Sequence, residues 1–262
     1  MDVYIPSRSR FERSLTLEAL EFGNVPAPRL WLAVPAAQAG SYGPLAARYG
    51  ARLLPCPRPG IAATRQHIGQ HAASQGKDRF LMLDDDLRFF YRKSDGVRLY
   101  KCVPKHMMLM LRDIASGLTH YHHLAISARQ GNNQLKFPYV TNKRPLRALA
   151  YRTETFLKAE HGRVAIMEDF DVTLQLMKMG YANCVITKYA QDQQQTQLPG
   201  GCSDYRTHEL HEENVRKMER MHRPFVKLVE KQNKTGGEFG KRMEAVIYWL
   251  KAWESSQKED LL

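Results

Sequence analysis

Residues 79–90 read RFLMLDDDLRFF: the apolar run Phe80-Leu81-Met82-Leu83 leads straight into Asp84, Asp85 and Asp86. Adjacent like charges repel, so three aspartates at the end of a buried segment call for something positive to meet them. A hard divalent cation such as Mg2+ or Mn2+ suits them, since it takes carboxylate oxygens and completes its shell with phosphate and water. On extended backbone Asp84 and Asp86 project to one side and Asp85 to the other. One of the pair can then hold a metal while its neighbour reaches a ribose.

Two further groupings carry chemistry. Glu168-Asp169 opens an amphipathic segment, AIMEDFDVTLQLMKMG over 165–180. A helix N-terminus favours negative charge by about 0.3–1 kcal/mol and keeps such a carboxylate ionised. An ionised carboxylate at a pocket edge accepts a proton from an attacking hydroxyl, and acids in a first turn equally serve as plain helix caps. PGGCSDYRTHELHEE (199–213) joins Gly200-Gly201, which let backbone approach a ligand closely, to His208 and His211. Each histidine fits either a metal shell or an ordinary helix face.

The elements that must position these groups alternate. Strands are expected at 3–6, 30–35, 51–57 and 79–84, with helices over 10–22 and 60–76. Continuous apolar strands alternating with helices imply a mostly parallel sheet covered on both faces. Ligands bind beyond the carboxyl ends of such strands, which is where the aspartates fall. Further along, a helix is expected at 105–118, strands at 123–131 and 146–153, a helix at 165–180 and a strand at 182–190. Long loops span 131–145 and 191–205, and long loops inside a compact domain are often functional. The tail from about 207 to 254 reads as helical, charged and basic. This divides the chain into a sheet domain over 1–206 and a helical extension over 207–262 packed on it. Neither GxGxxG nor GxxxxGK[ST] is present, so a dehydrogenase or P-loop enzyme is not indicated.

Composition narrows the partners. The chain has 262 residues with 39 Lys+Arg against 27 Asp+Glu, a net charge of +12, which draws polyanions. Basic and aromatic residues interleave over 88–105, with Arg88, Arg92 and Lys93, and over 136–147, with Lys143 and Arg144. Rings and cations together hold single-stranded or extruded bases, and these five are the candidate DNA-binding residues. A solvated basic surface is the plainer account of either stretch alone. Cys56, Cys102, Cys184 and Cys202 form no CxxC pair, so free thiols in a reducing compartment are expected. No apolar run is long enough for a membrane span and the N-terminus lacks a signal-peptide pattern, so a cytoplasmic protein without membrane contact is expected.

Taken in order, VYIPSRSR, GIAATRQHIGQHAASQGKDRFLMLDDD and MEDFDVTLQLMKMGY resemble the nucleotide-sugar glycosyltransferases of the GT-A fold, over roughly residues 1–210. The short basic chain and its LPGGCSDYRTHE loop are most similar to the TET/JBP-associated glycosyltransferases of phages and bacteria. The resemblance implies that Pro6, Ser7 and Arg8 line the nucleotide base pocket and that Arg65 approaches the nucleotide. Asp84 would face the ribose, with Asp85, Gly200 and Gly201 counted in the same donor site. Asp86 would bind Mn2+ or Mg2+, with His208 as a late ligand and His211 its rival. The Glu168-Asp169 pair would supply the general base, Asp169. Gln66 stands where the family has asparagine after its arginine. The implied reaction moves a sugar, glucose from UDP-glucose, onto the hydroxyl of a 5-hydroxymethylpyrimidine in DNA. A glycan, lipid or protein acceptor on the same fold is one alternative, and a non-catalytic DNA-binding copy of the fold is another.

Overall fold

The computed structural model describes residues 1–93, 98–129, 137–193, 207–232 and 241–259. Four parallel strands form one side of the main sheet: β1 (Asp2–Pro6), β2 (Leu30–Pro35), β3 (Arg52–Cys56) and β4 (Arg79–Leu83), in the order β3-β2-β1-β4. The sheet continues through β9 (Ala148–Arg152), β7 (His123–Ala128), β10 (Asn183–Gln193), β5 (Leu87–Arg92) and β6 (Leu99–Lys101), and β8 (Tyr139–Thr141) pairs with β10. Following the pairings, β9, β8 and β5 run opposite to the rest, so seven of the ten strands share one direction. The sheet is mostly parallel, as its apolar strands imply.

Helices cover both faces. On one side α1 (Leu15–Phe22), α2 (Ala39–Tyr49) and α4 (Pro104–Gly117) bury Leu17, Leu20, Tyr42, Leu45, Met107 and Met110 against the sheet. On the other, α3 (Ile61–Ser74), α5 (Thr153–Lys158) and α6 (Glu168–Lys178) contribute Ile68, Ala72, Phe156, Val172 and Leu176. The α3–α5 approach is close: a Cβ on Gly69 would overlap the Phe156 ring. That contact sets the depth of α3, and with it of Arg65.

Several local departures from the sequence reading have physical causes. The first helix begins at Leu15 rather than at residue 10, because Ser14 caps it and accepts from Leu17 N at 3.2 Å. Helix α2 was not expected, since Gly40, Gly43 and Pro44 mask its buried stripe of Tyr42, Leu45, Ala46 and Tyr49. The basic-aromatic stretch after the aspartates folds into β5 and β6.

The largest correction is the tail, which is not helical throughout. Helix α7 (His208–His222) stops before Pro224, a residue that cannot continue a helix. An antiparallel pair then follows, β11 (Val226–Gln232) and β12 (Lys241–Ile247), before α8 (Trp249–Glu259). Val226, Val229, Val246 and Ile247 carry β-branched side chains suited to strands. Phe170, Leu174 and Met177 of α6 share a core with Met218, Val226 and Ala252 of this tail.

Candidate active site

The aspartate triplet lies just past the carboxyl end of β4, next to β1, where the chain order reverses on either side of the strand pair. Its backbone is tied to the start of α1. Thr16 N and Ser14 Oγ donate to the Asp85 carbonyl at 3.2 and 2.9 Å, and Thr16 Oγ1 donates to that of Asp84. Asp84 N in turn donates to the Arg147 carbonyl at 3.0 Å.

Two arginines meet the three carboxylates. Arg10 Nη1 lies 2.6 Å from Asp85 Oδ1 and 2.9 Å from Asp86 Oδ2. Ser7 Oγ donates to Asp85 Oδ2 and is hydrogen-bonded to Tyr42 OH at 2.8 Å. Arg65, buried on α3, spans the gap to α6: Nη2 is 3.2 Å from Asp84 Oδ1, while Nη1 is 3.2 Å from Glu168 Oε1 and 4.0 Å from Asp169 Oδ2. Burial alone would lower the Arg65 pKa, but Glu168, Asp84 and Asp169 together raise it. Burial pushes the Asp84 carboxyl up to about 7, with Arg65 opposing and the neighbouring aspartates adding to the push. Glu168 is raised for the same reason, by burial first, with Arg65 pulling the other way and Asp169 adding to the rise.

The cluster holds five carboxylates, Asp84, Asp85, Asp86, Glu168 and Asp169, with two guanidiniums at ion-pair distance among the described residues. Asp86 is 6% exposed. Its Oδ2 accepts from Arg10 and from Gln193 Nε2 at 3.1 Å, whereas its Oδ1 is buried with no hydrogen-bond partner among the described residues. A buried, unpaired carboxylate oxygen is costly unless a donor or cation meets it. The donor set therefore fits a divalent cation at Asp86.

The structure brings together Ser7, Asp84, Asp85, Asp86, Arg65, Glu168 and Asp169, with Pro6 at the end of β1 and a half-buried Arg8 beside them. His208 is placed differently. Its Nε2 is 3.1 Å from the Lys241 carbonyl of β12, and His211 Nε2 is 3.0 Å from that of Met243, so both rings engage the hairpin. No group of three or more metal-ligating side chains forms among the described residues. Gly200 and Gly201 lie outside the described residues.

The basic set divides. Arg88, Lys93, Lys143 and Arg144 are exposed, but Arg92 is 8% exposed and donates from Nε to the Thr187 carbonyl at 2.8 Å. Arg92 therefore belongs to the interior of the sheet edge rather than to an open basic face, because it occupies an inward position of β5. Arg144 stands nearest the chemistry, its guanidinium 4.7 Å above the ring of Phe170, the residue after Asp169.

Sequence reasoning missed Arg10 and the Ser14–Thr16 cap. Arg10 had one available signal: a triplet of buried carboxylates needs a cation, and SRSRFER, which follows β1, the strand beside β4, supplies several.

The family model described as TET-Associated Glycosyltransferase matches residues 1–201. No curated protein matches the chain. Among solved structures, it is similar to glucosyl-3-phosphoglycerate synthase from Mycobacterium tuberculosis, with TM-score 0.52 and 10% identity over 94% of this chain and 86% of that one. It is also similar to residues 1–349 of S. aureus TarS, with TM-score 0.46 and 14% identity over 83% of this chain and 64% of that one. At such identities the likeness is one of fold. With an acidic cluster at the strand ends and a family match over three quarters of its length, this chain belongs to the TET-associated glycosyltransferase family, as a nucleotide-sugar glycosyltransferase of the GT-A fold.

Proposed function

We propose that this enzyme is a metal-dependent, inverting glycosyltransferase that moves glucose from UDP-glucose to the hydroxyl of a 5-hydroxymethylpyrimidine in DNA. The observation that carries the reading is the under-compensated cluster, five carboxylates against two guanidiniums, with Asp86 Oδ1 buried and unpaired. Asp86 would hold Mn2+ or Mg2+, and His208, now at the Lys241 carbonyl, would have to leave it to join. The cation, when bound, neutralises the diphosphate leaving group. The synthase from Mycobacterium tuberculosis, similar in fold, was solved with Mn2+ and UDP.

Within the chain, Pro6, Ser7 and Arg8 receive the nucleotide base and Asp84 the ribose. Asp169 accepts the proton of the hydroxymethyl group as its oxygen bonds to the anomeric carbon. The bond from that carbon to the diphosphate oxygen breaks, UDP leaves, and configuration inverts. Arg65 holds Asp84, Glu168 and Asp169 in one arrangement. The DNA acceptor is supported by the net charge of +12, since phosphate neutralisation dominates DNA affinity. Exposed Arg144 stands over Phe170, next to Asp169, exposed Lys143 adds to the basic surface, and exposed Phe137 and Tyr139 offer rings to an extruded base.

The test incubates the protein with Mn2+, a panel of UDP-sugars and DNA containing 5-hydroxymethylcytosine or 5-hydroxymethyluracil, then weighs the digested nucleosides. A hexose-sized gain is expected with UDP-glucose. UDP release without any gain rejects the DNA acceptor in favour of another hydroxyl, and no release from any donor rejects the reading. In the same assay Asp86→Ala and Asp169→Asn should lose about 100-fold or more of turnover. Asp169→Asn should keep its UDP affinity, and full transfer by it would remove the base assignment.

A further inference from the structure

Asp171 lies two residues past Asp169 on α6 and one turn past Glu168, and with both of them and Arg65 it lines one small cavity, while its carboxylate is held from outside the acidic cluster. It is 1% exposed. Arg163 Nε donates to its Oδ2 at 3.1 Å and Arg163 Nη2 donates to its Oδ1. His222, at the end of α7 and 0% exposed, donates from Nε2 to the same Oδ1 at 2.7 Å. The other ring nitrogen of His222 is buried and has no hydrogen-bond partner among the described residues. Leaving a buried polar atom unpaired destabilises the fold. A well-packed apolar side chain would stabilise this spot at least as well as a half-satisfied imidazole.

A second contact from α7 reaches the same region. Asn214, 4% exposed, accepts from Ala165 N at 2.8 Å on the segment that leads into α6. Met167, which opens that helix, has φ 66° and no side-chain cap. A non-glycine residue is strained there and persists only where its surroundings fix it. Its carbonyl accepts from Phe170 N and Asp171 N, both at 3.0 Å, and Phe170 packs edge-on against Trp249 of α8 at 5.5 Å. The strained turn that presents Glu168 and Asp169 is thus gripped by α7 and α8, which lie beyond the matched residues 1–201.

We propose that His222 is a positioning residue for sugar transfer: through Asp171 it fixes the first turn of α6 and hence the carboxylate of Asp169. This rests on the reading of Asp169 as the general base. A base displaced by about 1 Å loses on the order of 100-fold in rate while donor binding, made at other residues, is untouched.

The test uses the full chain with Mn2+, UDP-glucose and DNA containing 5-hydroxymethylcytosine, and measures kcat, KM for UDP-glucose and UDP affinity by calorimetry. His222→Leu removes the hydrogen bond and should lower kcat about 10–100-fold, with KM and UDP affinity within about twofold of the parent. His222→Gln keeps an N–H at the position of Nε2 and should recover most of the loss. In an Asp169→Glu background, where the base is already displaced, His222→Leu should add less than about threefold. Should His222→Leu not fold, His222→Asn, whose amide stops short of Asp171, gives the same readout.

An equal loss in the Asp169→Glu background, or KM and UDP affinity changing in step with kcat, overturns the positioning role and leaves a structural one. Unchanged kcat in His222→Leu, beside an inactive Asp169→Asn, overturns it while keeping the base. Full transfer by Asp169→Asn overturns the base reading first. Absence of turnover in the parent chain overturns both.

Discussion

Two buried polar clusters flank the first turn of α6, and they are built on opposite principles. On one side five carboxylates face Arg10 and Arg65, a formal deficit of three charges among the described residues. On the other, one carboxylate, Asp171, is met by Arg163 and His222 and sealed from solvent. The pKa directions follow. Burial pushes Asp84 and Glu168 up despite Arg65. Burial would also raise Asp171, but the hydrogen bonds from His222 and Arg163 hold it below the usual carboxylate range. A balanced cluster is complete without a ligand and supplies stiffness. A deficient one is completed by what binds to it. On the proposed function, cation and diphosphate bind at the first side and the second supports it, although both are acidic and meet at one helix turn.

The strongest way to break this contrast is to enlarge the deficit. Arg65→Leu leaves buried Glu168 and half-buried Asp84 and Asp169 without their shared cation, and removing one partner of a buried ion pair costs about 3–5 kcal/mol. Urea unfolding at pH 8 should show that loss, with recovery toward pH 5 as the freed carboxyls take up protons. A cost under about 1 kcal/mol at pH 8 would mean that Arg65 does not hold the cluster.

Shrinking the deficit should do the reverse. Asp84 is raised from 3.8 to about 7 in the folded protein. Its contribution to the stability of the metal-free chain is therefore present below about pH 4 and lost as pH rises through about 7. Asp84→Asn should raise the Tm of metal-free protein at pH 8 while abolishing transfer. Mn2+ should raise the Tm of the parent more than that of the variant. A lower Tm for Asp84→Asn at pH 8 would show that its pairing with Arg65 outweighs its burial.

These clusters were not equally legible in the sequence. The apolar strand running into Asp84-Asp85-Asp86 marks its own position, because hydrophobic continuity fixes the strand and the sheet rule fixes which end binds ligands. Glu168-Asp169 was visible because it opens a strongly periodic helix. Arg65 was reached only through the family pattern, and Arg10 not at all, since an arginine in a basic loop looks the same whether it is solvated or facing a carboxylate. The Asp171–Arg163–His222 cluster joins residues 51 apart in the chain through tertiary packing alone. The β11–β12 pair stayed hidden because its alternating charges fit a solvated helix face as well as an exposed strand.

A third buried polar group sharpens the comparison, because it has neither deficit nor balance. His123 of β7 is 1% exposed and stacks on Tyr151 at 4.2 Å between ring centroids. Both its ring nitrogens lack a hydrogen-bond partner among the described residues. Burial alone holds its pKa down to about 3, against 6.5 when exposed. As pH falls below 6.5 the unfolded chain takes up a proton that the folded one declines, so stability drops by up to about 1.4 kcal/mol per pH unit until about pH 3. Asp84 acts oppositely, adding stability to the metal-free protein as pH falls from about 7 to 4. Between pH 4 and 6.5 the His123 loss is opposed by the gains from Asp84 and from Glu168, which burial raises likewise. His123→Phe, which keeps the stacking ring and removes the titration, should leave the carboxyl gains unopposed, so that urea-unfolding free energy rises more steeply than in the parent as pH falls. Asp84→Asn should tilt the balance toward loss. If His123→Phe leaves the slope unchanged, the imidazole is protonated in the folded chain, and a buried cation rather than a neutral ring sits beside Tyr151.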